Sequence, residues 1–332
     1  MATLITGGAG FIGLALAERL LAAGQRVVLF DLPAAPPLWL ARPELAGAVY
    51  VSGDVTDQTD LDAALAAAPI DRVVHAAAVT PNEQRERKDA RRIVEINIGG
   101  TVNLMERSIA HGGIRRIVVV SSVAVYGFSA PAASGCFEEE ISHPAPAALY
   151  GISKLAAEQA AIRIAHLHGR DTRIVRLGPV YGPWEWSTEV RDALSPHHQV
   201  LQALKSGREA VLPRAMRADW IYSRDAAAGI AAVAMNEALR HAVYHVGGGC
   251  LSDLQDWCRA LASRFPDFRW RCAEPGEAAG IIYNLPVDRA PMSIARLARD
   301  TGFNPTYPVD AAAADYLSWM GLDCAASSGG TS

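Results

Sequence analysis

Tyr150 and Lys154 stand one helical turn apart in the run Leu149-Tyr150-Gly151-Ile152-Ser153-Lys154. Residues i and i+4 of an α-helix share a face, with Cβ atoms about 5–6 Å apart. A free phenol has a pKa of about 10 and is a poor base at neutral pH. A neighbouring ammonium favours the phenolate and lowers that pKa. The phenolate can then take the proton of a substrate hydroxyl while a hydride leaves the same carbon. An isolated pair of this kind is more often a surface tyrosine with a lysine stem lying along its ring. The surroundings decide between these readings. A Ser-Ser pair, Ser121 and Ser122, precedes the helix, and a glycine pattern lies far upstream in Thr6-Gly7-Gly8-Ala9-Gly10-Phe11-Ile12-Gly13.

Gly7, Gly10 and Gly13 follow a short apolar run and open an apolar stretch, the strand–turn–helix setting of a dinucleotide fingerprint. Glycine permits the tight turn and the close approach of backbone N–H groups to a pyrophosphate. Asp31 ends the next apolar run. An acid there accepts hydrogen bonds from a ribose 2′-OH and repels a 2′-phosphate, which favours NAD over NADP. Asp54 is placed to reach the adenine edge. Ala76, Ala77 and Ala78 are small enough to let a cofactor lie against the backbone, although small residues also suit tight helix–sheet packing.

These residues need a scaffold, and the chain alternates strand and helix patterns from its start. Strands are expected at Ala2 to Thr6, Arg26 to Phe30, Val49 to Ser52, Arg72 to Ala76, Arg116 to Ser121 and Thr172 to Leu177. Helices are expected at Phe11 to Ala23, Asp60 to Ala68, about Ala90 to His111 and from Tyr150 to about His168, with Gly24 and Gly169 as stops. Such alternation implies an α/β fold, a doubly wound parallel Rossmann sheet with right-handed crossovers. Past Leu177 the pattern turns irregular. Ile221 and Ala226 to Met235 read as a strand and helix that return to the main sheet. The expected division is an NAD-binding Rossmann domain at 1–178 with 218–246 returning to it. A smaller C-terminal substrate-binding lobe takes 179–217 and 247–322, and a disordered tail takes 323–332.

On the substrate side, Arg217 is the expected anion contact through its bidentate fork. Trp184 and Trp186 could stack on a base or a sugar face, or anchor their loop. His197 and His198 lack a third ligand at metal spacing, so no metal is expected. Arg85, Arg87, Arg91 and Arg92 read as a solvated helix face.

Composition sets bounds. Of 332 residues, 50% are hydrophobic and 20% charged, so a large core is expected. A net charge of −4 without long basic runs argues against nucleic-acid binding. Five scattered cysteines suggest reduced thiols. The chain opens on a strand and its phosphate loop and has no apolar run of about 18 residues. Neither a signal peptide nor a membrane span is therefore expected, and a cytoplasmic address is.

Together these elements resemble the extended short-chain dehydrogenase/reductase family, in its NAD-dependent sugar epimerase/dehydratase branch. The resemblance rests on Thr6 to Gly13, Gly53-Asp54-Val55-Thr56-Asp57, His75-Ala76-Ala77-Ala78 and Asn97-Ile98-Gly99-Gly100-Thr101. It continues through Ser121-Ser122-Val123-Ala124-Val125-Tyr126-Gly127, Tyr150 to Lys154, Arg176 to Pro183, Asp219 to Ala226 and Ser293 to Pro305. It implies that Tyr150 is the acid/base, that Lys154 lowers its pKa and holds the nicotinamide ribose, and that Ser122 bonds the reacting oxygen. Asn97 would help orient the lysine. Cofactor contacts are implied for Gly7, Gly10, Phe11, Ile12, Gly13, Asp31, Asp54, Val55, Ala76, Ala77, Ala78, Asn97 and Ser121, beside Tyr150 and Lys154. Ser122, Tyr150 and Arg217 would meet a sugar substrate, with or without a linked nucleotide. The dehydratase branch commonly carries Asp-Glu after the catalytic hydroxyl residue, whereas Val123-Ala124 follow Ser122 here. Pro179 stands where epimerases often carry an Asn that helps bind a nucleotide diphosphate. The implied activity is epimerisation through a transient ketone. Its rivals are net oxidation of a sugar, sugar acid or amino alcohol, and a non-catalytic NAD(H)-responsive binding protein. The helices Ala90–His111 and Tyr150–His168 resemble the pair that forms a homodimer interface in the family.

Overall fold

The computed structural model describes residues 1–32, 38–187, 192, 194–283 and 288–322. Its strands are β1 (Ala2–Thr6), β2 (Arg26–Asp31), β3 (Val49–Ser52), β4 (Ile70–His75), β5 (Arg116–Ser122) and β6 (Thr172–Leu177). The shorter β7 (Val180–Tyr181), β8 (Ala210–Leu212), β9 (Ile221–Tyr222), β10 (Val243–Val246) and β11 (Trp270–Cys272) follow. Seven strands form a parallel sheet in the order β10-β6-β5-β4-β1-β2-β3. All five residues of β1 are buried, as expected of a parallel strand covered on both faces. The winding direction reverses between β1 and β4, and such a reversal opens a ligand crevice at the carboxyl ends of the strands.

The helices are α1 (Phe11–Ala22), α2 (Gln58–Ala66), α3 (Glu83–Val94), α4 (Thr101–His111), α5 (Leu149–His168), α6 (Pro196–Lys205), α7 (Ser223–Met235), α8 (Leu254–Ala262), α9 (Ala295–Thr301) and α10 (Val309–Trp319). Leu14, Leu16, Ile230 and Val233 of α1 and α7 cover one face of the sheet. Leu61, Leu104, Met105 and Ala161 of α2, α4 and α5 cover the other. Each such leucine, isoleucine, valine or methionine side chain contributes about 1.5–3 kcal/mol when fully buried. A separate apolar cluster joins α6, β8, α8 and α10 through Leu201, Leu212, Trp257, Leu261 and Tyr316.

Three expectations change. The helix expected over Ala90–His111 starts earlier and is broken into α3, a π-helical turn at Glu95–Gly100, and α4. Asn82 supplies the earlier start by accepting the Arg85 N–H at 2.9 Å. Ile221 does not rejoin the main sheet, because β9 pairs with β7. The strand that rejoins it is β10, beside β6, while α7 packs on α1. Finally, α9 packs on α7 and β10, with Leu297 and Phe303 in the sheet-side core. The 323–332 tail lies outside the described residues.

Candidate active site

The glycine turn is shaped by steric necessity. Gly7 has φ +66°, and a Cβ there would lie 2.7 Å from the Ala77 nitrogen. A Cβ on Gly13 would lie 2.2 Å from the Gly7 carbonyl oxygen. The turn can close on α1 and on the strand end at Ala76–Ala77 with no side chain at either position. Gly10 is the N-cap of α1 and makes no side-chain capping bond, so the first-turn N–H groups keep their capacity for an anion. Gly7, Gly10, Phe11, Ile12 and Gly13 line one stretch of a cleft whose floor is Ala76, Ala77 and Ala78.

Asp31 and Asp54 line the same cleft beyond β2 and β3, with Val55 beside them. Asp31 Oδ2 accepts the Ala9 N–H at 2.7 Å, which ties it to the glycine turn, and Oδ1 accepts the Leu32 N–H at 2.8 Å. Burial pushes its carboxyl above the ordinary range, outweighing the backbone bonds. Burial also works to raise Asp54, yet the bonds from Thr56 and Arg92 hold it lower. Arg92 pairs with Asp54 at 2.6 Å, so this arginine is fixed to the cleft and is not part of a purely solvated face. Arg85 pairs with Asp192 at 2.9 Å, whereas Arg87 remains largely exposed.

Beyond β5 and β6 the cleft is lined by Ser121, Ser122, Tyr150, Lys154, Gly178 and Val180. Gly151 explains how α5 comes so close. A Cβ there would lie 2.5 Å from the Ala124 carbonyl oxygen in the 3₁₀ turn Val123–Tyr126 that follows Ser122. The Ser122 hydroxyl accepts the Ala124 N–H at 3.1 Å, which leaves its hydrogen to donate elsewhere. Glu86 of α3 accepts the Tyr150 N–H at 3.3 Å at the open end of α5. Lys154 is 2% exposed. Burial lowers its ammonium to about 8, partly countered by the charge of Glu158.

A buried ionic chain underlies the serines. The Ser121 hydroxyl donates to Glu158 Oε1 at 2.5 Å, and Arg176 donates to Glu158 Oε2 at 2.8 Å. Arg176 also donates to the Tyr126 hydroxyl at 2.9 Å, which meets His245 Nε2 at 2.6 Å. Ser121 thus turns a strand end and the Tyr150 helix into one unit. The signal for this in the sequence is Glu158, one further turn beyond Lys154.

Asn97 does not face the cleft. Its side chain accepts the Val79 N–H at 2.8 Å and donates to the Val79 carbonyl at 3.1 Å and to Ser153 Oγ at 3.0 Å. It links the cleft floor to the residue before Lys154, with no bond to the lysine itself. The π turn carries it, and Thr101 Oγ1 closes that turn by donating to the Asn97 carbonyl at 2.8 Å. His75, held neutral by burial with a pKa of about 3, bridges Thr6 and Thr101. Arg217 is exposed and is not among the cleft-lining residues. His197 stacks on Tyr181 at 3.8 Å, and His198 Nδ1 meets the Tyr316 hydroxyl at 2.6 Å. Among the described residues no cluster suited to a metal ion occurs, and no helix is long and apolar enough to cross a membrane.

The sequence model of the NAD-dependent epimerase/dehydratase family matches residues 3–247. The chain belongs to this family. It is 25% identical to the dTDP-L-rhamnose 4-epimerase of Burkholderia thailandensis, covering 96% of this chain and 94% of that one. It is 30% identical to a dTDP-glucose 4,6-dehydratase of Streptomyces niveus over 75% of this chain and 73% of that one. The UDP-glucose 4-epimerase of Thermotoga maritima superposes with a TM-score of 0.79 at 19% identity, over 96% of this chain and 98% of that one. The UDP-glucuronic acid 4-epimerase of Bacillus cereus, solved with UDP-glucuronic acid and NAD, superposes with a TM-score of 0.77 at 22% identity, over 97% and 99%. These superpositions show a shared fold. The protein is thus an NAD-dependent enzyme of the extended short-chain dehydrogenase/reductase type, and the cleft suits that cofactor. A crowded glycine turn and a side-chain-free helix start suit a pyrophosphate, and Asp31, at the end of β2, lines the same cleft.

Proposed function

We propose that this enzyme is an epimerase of a nucleotide-linked sugar, acting by transient oxidation of one carbinol carbon. One observation carries the reading. Among the described cleft-lining residues, the end near β5 and β6 holds Ser122, Tyr150 and Lys154 and no carboxylate. The two lining carboxylates, Asp31 and Asp54, lie beyond β2 and β3. Elimination of water needs an acid for the departing hydroxyl as well as a base. Val123 and Ala124 stand after Ser122, so the site suits a reaction with one proton acceptor that later gives the proton back.

NAD, when bound, supplies a hydride acceptor that later returns the hydride. The Tyr150 oxygen takes the substrate hydroxyl proton. The Lys154 ammonium, close along the helix, stabilises the resulting phenolate and holds the nicotinamide ribose. Ser122 donates a hydrogen bond to the reacting oxygen, which strengthens as that oxygen gives up its proton and gains negative charge. Gly7, Gly10, Phe11, Ile12 and Gly13 hold the pyrophosphate, Asp31 the ribose, and Asp54 and Val55 the adenine edge. Ala76 to Ala78 form the floor, and Ser121 and Asn97 brace the site from beneath. In this reading residues 1–178 and 218–246 serve the cofactor, and 179–217 with 247–322 serve the sugar, α9 excepted. A homodimer through α3, α4 and α5 and a cytoplasmic address complete it.

The test incubates the NAD-loaded protein with dTDP-L-rhamnose, UDP-glucuronic acid and UDP-glucose, with products read by NMR. Inversion at one carbon without accumulation of reduced cofactor is the expected result. Stoichiometric release of reduced cofactor would make the enzyme a net dehydrogenase, and loss of water would make it a dehydratase. Mass spectrometry of small molecules released on denaturation reports the bound cofactor, and light scattering reports the dimer.

A further inference from the structure

The segment after β7 is pinned more heavily than a connecting loop requires. Trp184 has a left-handed backbone with φ 71°, a conformation that bulky residues avoid. Its ring is buried, and its indole N–H donates to Glu18 Oε2 of α1 at 2.6 Å. Trp319 of α10 meets it edge-on with ring centroids 5.4 Å apart. The Arg42 guanidinium lies 5.1 Å from the Trp184 ring and 4.5 Å from the Trp319 ring. Glu185 is buried next, and its carboxylate accepts the Ser195 N–H at 2.6 Å and the Ser195 hydroxyl at 2.5 Å, at the start of α6. The residue after these two anchors is Trp186. It is half-buried and lines the same cleft as Ser122, Tyr150, Gly178 and Val180.

We propose that Trp186 is the platform on which the sugar ring stacks, and that its apolar face lets the keto sugar turn between the two transfers. The proposal rests on the epimerase reading and adds a specificity-determining residue to it. In the first half-reaction the carbinol C–H gives its hydride to NAD and the O–H gives its proton to Tyr150. The second half-reaction reverses both transfers on the other face of the carbon, so nothing is consumed. Between them the ketone must show its second face to the same cofactor ring. Directional hydrogen bonds to the ring hydroxyls would have to break during that turn. An indole face offers contact without direction, so the sugar keeps its burial at every angle. Gly178 and Val180 beside it likewise carry no hydrogen-bonding side chain. Ser122 and Tyr150 address the reacting oxygen.

The experiment compares the full-length, NAD-loaded wild type with Trp186→Ala, Trp186→Leu and Trp186→Phe. The probes are dTDP-L-rhamnose, UDP-glucuronic acid and UDP-glucose. For a sugar that the wild type inverts, Trp186→Ala is expected to raise KM about tenfold. It is also expected to raise the share of turnovers that stop at the ketone with reduced cofactor, read by absorbance and by mass spectrometry. Trp186→Leu keeps an apolar side chain without a flat face and gives the same defects if Trp186→Ala does not fold. Trp186→Phe restores both parameters to within about threefold of the wild type, because a flat face returns. Unchanged KM and unchanged partition in Trp186→Ala and Trp186→Leu would overturn the platform. So would loss of bound NAD with KM for the sugar intact, which would place the indole on the cofactor. If the wild type inverts none of the three sugars, the epimerase reading falls and takes this proposal with it. If it inverts one and the variants invert it equally well, this proposal alone falls.

Discussion

In the proposed reaction the Tyr150 oxygen is the proton carrier, so Tyr150→Phe removes the acid/base and little else. We expect kcat to fall by about 10²–10⁴-fold, with NAD binding measured by calorimetry unchanged. Lys154 shows what such a site costs the fold. Burial lowers its ammonium from the ordinary lysine value of 10.5 to about 8. Between these values the unfolded chain keeps a proton that the folded chain has lost, so the contribution of this group to stability rises with pH across that window. Below about pH 8 the folded protein carries the full penalty, on the order of 3 kcal/mol at pH 7. Lys154→Met should therefore abolish activity yet raise the urea midpoint at pH 7. That gain should shrink as the pH climbs from 8 toward 10.5. A variant less stable than the wild type at pH 7 would show that the lysine is compensated by more than the charge of Glu158.

At the scale of elements, the decisive contact is between α5 and the 3₁₀ turn after β5. Gly151 permits it, since a Cβ there would lie 2.5 Å from the Ala124 carbonyl oxygen. Helix propensity alone favours alanine over glycine by about 1 kcal/mol inside a helix. Gly151→Ala should nevertheless destabilise the protein, because backbone and not a flexible side chain stands in the way. It should also lower kcat by moving Tyr150 away from Ser122. A urea titration and a single-turnover assay measure the two effects, and an alanine variant at least as stable as the wild type would refute the argument. The Ser121–Glu158–Arg176 chain acts in the same direction. It makes β5, α5 and β6 share buried charges whose separation would leave one of them unpaired.

At the scale of the whole molecule, the sheet body and the smaller cluster meet through aromatic and ionic contacts around Trp184. Arg42 comes from the connection after β2, Glu18 from α1, Arg224 from α7 and Trp319 from α10. Arg42→Ala should lower stability by about 1 kcal/mol, the value of a partly exposed cation–π pair. It should also raise KM for the sugar while the Kd for NAD stays level, since the loop leading to Trp186 loses one clamp. Equal changes in both constants would indicate a general loosening.

The chain's own order of residues determined the cofactor half of this protein. The strand–glycine turn–helix at its start, Asp31 at the end of β2 and the Tyr150–Lys154 pair are local patterns. Local spacing fixes which face or which strand end a residue occupies. The alternation of elements likewise made the parallel sheet legible. What a single stretch could not disclose depends on contacts between residues far apart in the chain. The π turn that swings Asn97 onto Val79 and Ser153 needs the Thr101–His75–Thr6 bridge across the sheet. The pairing of Arg92 with Asp54 and the exposure of Arg217, which is not among the cleft-lining residues, follow from how the loops pack. Trp184 and Trp186 look alike in sequence. Only the tertiary structure buried one in a clamp built from α1, α10 and the Arg42 segment and left the other facing the cleft, because burial is a property of neighbours that the chain brings together after folding.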